Sequence, residues 1–147
     1  MKVINHVIKL TTSATLDFID ITEKVKRIVK DKGVKNGVIN IQSLHTTMAV
    51  IVQEAEPLLL GDLKKVLEKA APRTMRYMHD NFKVRTVNMH PNEPVNGHSH
   101  CKALFLTPGV FLNVLDSKLQ LGQWQHIFAV ELDNSRPRKI AIQIMGE

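Results

Sequence analysis

The sequence contains one cysteine, Cys101, so no disulfide can form within the chain. No amino-terminal segment combines basic residues, an apolar run and a small-residue cleavage site. Together these two absences point to a reducing, cytoplasmic location. Long hydrophobic runs are missing as well. Met48 to Val52 and Ala103 to Leu106 are among the longest, far short of the roughly 18 residues of a membrane span, so no membrane partner is expected. Aromatic residues make up only 5% of the chain, and no RGG, basic-aromatic or zinc-finger pattern accompanies its positive charge. The stacking platforms of single-strand binders are therefore not in view, which argues against nucleic acid as a partner. Repeats, linkers and low-complexity tracts are also absent, leaving one domain over residues 1–147.

The chain is long enough to bury a sizeable core without a covalent staple. Its net charge of +6 allows an anionic or phosphorylated ligand without identifying one. The local concentrations at Lys24 to Lys35 and Arg136 to Lys139 read as solvated faces.

Lys2 to Leu10 alternates and is rich in Val and Ile, and Thr11-Thr12-Ser13 separates it from a short strand near Thr15 to Ile19, which predicts an amino-terminal hairpin. Asp20 stands as a helix N-cap with Glu23 three residues on. Ile21, Val25, Ile28 and Val29 then form an apolar stripe that stops at Gly33. Val38 to Ser43 and Met48 to Gln53 read as buried strands flanking His45-Thr46-Thr47. Pro57 opens a second helix, which Pro72 ends. Residues 72–97 lose periodicity and gather Arg, His, Asn and Pro, the composition of a functional or mobile loop. Four strands follow, at His98 to Leu106, Val110 to Leu115, Trp124 to Leu132 and Lys139 to Met145. The expected fold is α+β: a mixed or antiparallel sheet with a carboxy-terminal four-strand meander packed against two helices.

In an extended strand, residues i and i+2 share a face about 6.5 Å apart, so His98 and His100 of NGHSHCK form a natural chelate for a divalent metal. His45, His79, Asp80 or His90 could each supply a third ligand. His6 and His126 read as packed or surface residues, and Cys101, on the opposite strand face, as a buried inert thiol. Lys102, on the same face as the two histidines, and Arg85, in the long loop, are candidates to meet a phosphate.

The blocks FIDIT, SLHTTMAVIVQEAEPLLLGDL, YMHD, NGHSHCKALFLTPG and LGQWQHIFAVELD occur in order almost from end to end, and on them the chain resembles the YjbQ-like family. Gln123 departs from the usual Thr of that family's Gly-Thr-Trp-Gln motif, and His98 stands where some members carry an acidic residue. The resemblance implies an α+β homotrimer with a pocket near the subunit boundary lined by His45, His79 and His100, often holding a metal. His98 would be a local addition to those ligands, with Glu54 and Gln125 contacting the ligands or the substrate. Many members are called secondary thiamine-phosphate synthases, which implies joining hydroxymethylpyrimidine pyrophosphate to a thiazole phosphate. Lys102, Arg85 and a metal would then stabilise the leaving pyrophosphate. Imidazole ligands favour zinc, whereas pyrophosphate chemistry favours magnesium. The first functional expectation is a metal-dependent enzyme acting on a small phosphorylated substrate. The alternative is a binding protein without turnover, and a basic nucleic-acid-binding trimer ranks last.

Overall fold

The computed structural model describes residues 1–147. Its elements are β1 (Lys2–Thr11), β2 (Asp17–Asp20), α1 (Thr22–Lys32), β3 (Gly37–Ser43), β4 (Met48–Glu54), α2 (Pro57–Ala70), a 3-10 turn at Met78–Asp80, α3 (Gly97–Ala103), β5 (Gly109–Leu115), β6 (Lys118–Leu119), β7 (Gln125–Glu131) and β8 (Pro137–Gly146). All strand pairings are antiparallel. They build one sheet in the order β1-β8-β3-β5-β6 and a second in the order β2-β7-β4. The fold is α+β, as its composition and patterning predict. No helix is long and apolar enough to cross a membrane.

The main core lies between the two sheets. Ile39 and Ile41 of β3 and Ile140, Ile142 and Ile144 of β8 meet Met48 and Val50 of β4 and Ile127 and Ala129 of β7, and α1 adds Val25 and Val29. The intervening residues of β4 and β7, Ala49, Phe128 and Val130, face the other way into a smaller cluster with Leu67 of α2. The β2-β7-β4 sheet is thus covered on both faces, and that is why MAVIV and IFAV read as unbroken apolar runs rather than alternating ones. The helix ends follow local chemistry. Gly33 closes α1 in the left-handed region at φ 63°, and Glu56 caps α2 by accepting from the Leu58 and Leu59 N–H groups. At α1 the N-cap position is Ile21, while Asp20 Oδ1 accepts from Thr22 N at 2.8 Å.

The pairing corrects three expectations. β1 and β2 form no hairpin: β1 pairs with β8 at the far end of the chain and β2 with β7. The last four strands are not a meander. β5 and β6 form a hairpin, β7 crosses to the second sheet, and β8 returns to lie between β1 and β3. A third helix, α3, occupies part of the segment read as the strand His98 to Leu106. Asp80 Oδ1 accepts from both Asn96 N and Gly97 N, and the Asn96 carbonyl then accepts from Ser99 N and His100 N, which nucleates a helical turn. Glycine is required at 97 because an added Cβ would sit 2.5 Å from Tyr77 Cβ.

Candidate functional site

A cleft of about 880 Å³ opens between the β3–β4 loop, the 79–96 segment, α3 and the start of β8. One of its sixteen lining residues is hydrophobic, and His45, His79, His90, His100, Arg85, Arg136 and Arg138 all border it. His79 and His100 come together with ring centroids 4.6 Å apart. Burial holds His100 below the ordinary histidine range, reinforced by His79 and then by the Arg85 guanidinium. Burial likewise depresses His45, with Arg138 adding to the shift.

The acceptor nitrogens of two of these histidines are already engaged. Lys139 N donates to His45 Nε2 at 2.9 Å, and Arg85 Nη1 donates to His79 Nε2 at 3.1 Å. In neutral form each ring then carries its proton on Nδ1, and that nitrogen becomes a donor. A metal needs the lone pairs these bonds occupy, and no group of three or more His, Cys, Asp or Glu side chains gathers closely enough to hold an ion. The residues of one chain therefore do not fit a zinc or magnesium centre.

α3 also separates the two histidines that a strand would align. At about 100° per residue, positions 98 and 100 point to nearly opposite sides of a helix. His100 borders the cleft, while His98 is 1% exposed and faces Lys102, four residues on. Lys102 is 0% exposed and cannot meet a phosphate in the cleft: its Nζ donates to Ala71 O (2.7 Å) and lies 3.0 Å from Glu68 Oε2 and 3.3 Å from His98 Nδ1. Three acceptors match its three N–H groups, so Lys102 ties α3 to the end of α2. Burial and then the Lys102 charge hold His98 below its usual range. Cys101 is exposed rather than buried. Glu54 and Gln125 are register partners at the opposite end of the β4–β7 ladder from Met48 and Glu131, about 20 Å along the strands. They do not line the cleft of this chain.

Arg85 borders the cleft, but it also organises its own loop. It donates to Glu93 Oε1 (2.8 Å), Asn88 O (2.7 Å) and Val87 O (3.2 Å), and it holds the Glu93 carboxyl below the usual range. The residues that the sequence reading missed are Arg136, Arg138 and Asn96. Arg138 is 3% exposed and forks onto Glu131, with further bonds from Arg138 Nη2 to Thr47 Oγ1 and from Thr12 Oγ1 to Glu131 Oε2. Arg136 pairs with the buried Asp133 through Nη2 while its side chain stays 34% exposed, leaving its other N–H groups available. The alternation of β8 carried a signal for Arg138, which is in phase with Ile140, Ile142 and Ile144 on the inward face. The segment Arg136 to Lys139 is therefore no simple solvated face.

A family model described as UPF0047 protein YjbQ-like matches residues 6–147. A UPF0047 protein of Methanothermobacter thermautotrophicus is 33% identical over 147 residues, covering 100% of this chain and 95% of that relative. One of Archaeoglobus fulgidus is 32% identical, covering 92% and 97%. Among solved structures, a YbjQ-like protein of unknown function from Sulfolobus solfataricus superposes with a TM-score of 0.88 at 32% identity, covering 99% of each chain. An uncharacterised YjbQ/UPF0047 protein of Clostridium acetobutylicum does so at 0.82 and 31%, covering 95% of this chain and 99% of that one. In sequence blocks, family model and superposed fold alike, this chain belongs to the YjbQ-like UPF0047 family.

Proposed function

We propose that the cleft binds a small oxyanion, a phosphate ester or pyrophosphate, through the N–H groups of Arg136 and the ring N–H of His45, and that His100 exchanges a proton with it. The observation supporting this reading is the occupied acceptor nitrogens of His45 and His79. With those lone pairs taken by protein donors, the rings favour an anion over a cation. Each cleft arginine is held by a carboxylate, Arg85 by Glu93, Arg136 by Asp133 and Arg138 by Glu131. These pairs fix the donors in position before the ligand arrives.

Titration calorimetry with pyrophosphate in the presence of excess chelator is the direct test. Binding should persist, and Arg136→Ala should weaken it about tenfold or more, the worth of one charge-assisted hydrogen bond. Binding abolished by chelator, or unchanged in the variant, would overturn the proposal.

The finer reading that the family resemblance implies is the joining of hydroxymethylpyrimidine pyrophosphate to a thiazole phosphate. On that reading Arg136 and Arg85, rather than Lys102, face the leaving pyrophosphate. Product formed above a heat-killed control would support it.

Homotrimer formation belongs to the same proposal. Val3 and Val7 on the free edge strand β1, Phe111 and Leu115 on β5, and Trp124 before β7 are large apolar side chains left exposed by one chain. Light scattering should return three times the 16.6 kDa chain mass, and a monomer would remove this element.

A further inference from the structure

A second depression, of about 390 Å³, adjoins the cleft where the end of β1 meets the start of β8. His45 and Arg138 border both, so the two spaces meet at these side chains. Lys9 and Lys139 complete the charged lining of the second, and none of the seven residues around it is acidic.

Lys9 and Lys139 are directly opposed in the β1–β8 ladder, and both are exposed. Residues opposed in an antiparallel pair share a face with their β-carbons about 5 Å apart, and two like charges so placed destabilise the sheet. Carboxylates offset the charge of Arg85, Arg136 and Arg138, yet neither lysine belongs to any of the chain's ion pairs. Lys139 is held only at its backbone, where its N–H donates to His45 Nε2 at 2.9 Å. The bonds that fix Arg138 run through Nε and Nη2 and leave Nη1 over. This depression therefore gathers positive charge that the protein itself does not compensate.

We infer that Lys9 and Lys139 form a second oxyanion subsite, joined to the cleft at His45, and that the ligand is a small molecule carrying two phosphate groups, one in the cleft at Arg136 and one between the two lysines. This inference rests on the anion reading above and names its ligand class. A phosphate between the two ammonium groups accepts from both and replaces their repulsion by attraction. Two linked anions that reach both subsites bind as one event, because the second contact is intramolecular. A monophosphate fills one subsite and leaves the other open.

Calorimetry on the intact protein provides the test, with two pairs of probes that differ by one phosphate group and span different distances: fructose 1,6-bisphosphate against fructose 6-phosphate, and 2,3-bisphosphoglycerate against 3-phosphoglycerate. At least one bisphosphate should bind about tenfold or more tightly than its monophosphate. Lys9→Gln and Lys139→Gln should each erase most of that gain and leave the monophosphate affinity, which rests on Arg136, nearly unchanged. Lys24→Gln removes the same charge from α1, outside both depressions, and should keep the gain, which separates a local subsite from the net charge of +6. Each substitution in the opposed pair removes one of two like charges, so at low ionic strength these variants should unfold no earlier than the unaltered protein. No gain in either pair, a gain that survives both substitutions, or one lost equally in Lys24→Gln would overturn this inference while monophosphate binding keeps the anion site. Binding of none of the four probes would overturn both.

Discussion

Glu131→Leu should lower the unfolding free energy by about 3 to 5 kcal/mol, the cost of removing one partner of a buried ion pair. Glu131 is 0% exposed and its carboxylate collects an unusual number of donors. Arg138 forks onto both oxygens, Thr12 Oγ1 donates at 2.8 Å, and Asp133 N donates at 2.9 Å. Leucine fills similar space but removes the carboxylate on which the Arg138 guanidinium, the Thr12 hydroxyl and the Asp133 amide converge, leaving the largely buried Arg138 charge without its counter-ion. Against a total stability of about 5 to 15 kcal/mol for a domain, the loss is large. Urea unfolding at fixed protein concentration measures it, because association would otherwise shift the midpoint. The double variant Glu131→Leu, Arg138→Met should recover much of the loss, since apolar side chains of matching volume can replace a buried pair at little cost. A single-variant loss below about 1 kcal/mol would show that the pair contributes little and that Arg138 is not fixed by it.

The inward strand residues were the most legible part of this sequence. Ile140, Ile142 and Ile144 alternate, and Val25 and Val29 recur at helical spacing, so periodicity alone assigns them to the core. Pairing was less legible. β1 alternates whichever strand lies beside it, and nothing within residues 2–20 reveals that its partner is β8, more than a hundred residues away. α3 was missed for a related reason. Seven residues give too little period to read, and HxH suits a strand as well as a helix. The decision is tertiary, made by the Asp80 carboxylate and by the contact of Gly97 with Tyr77.

The site follows the same division. Sequence blocks selected His45, His79 and His100, and the basic long loop offered Arg85; all four border one cleft. His98 and Lys102 carried an equal signal, but helical geometry turns them inward as a buried pair. Glu54 and Gln125 stand at the far end of the β4–β7 ladder. Asn96 meets Asp133 across the fold, a contact that no local motif encodes, and Arg136 pairs with the same carboxylate from three residues away.

Sulfate affinity should rise as the pH falls from about 8 to about 6, and His100→Ala should flatten the rise. Sulfate keeps its charge throughout this range, so the titrating group belongs to the protein. In the free protein, burial, His79 and Arg85 hold His100 below its ordinary value of 6.5, so it is neutral at pH 7. A dianion in the cleft favours the imidazolium and raises that value. Between the two values the complex carries one more proton than the free protein. Binding therefore takes up a proton and tightens with acidification, by up to about tenfold per pH unit, levelling off below the free-protein value. His45 is a weaker source of the same effect, because protonating its Nε2 breaks the bond from Lys139 N. Calorimetry in two buffers of different ionisation enthalpy counts the protons directly. Unaltered protein should show net uptake near neutral pH and His100→Ala close to none. A pH-independent affinity in the unaltered protein, or uptake unchanged by the substitution, would mean that His100 does not exchange a proton with the anion and would leave only a binding role for the cleft.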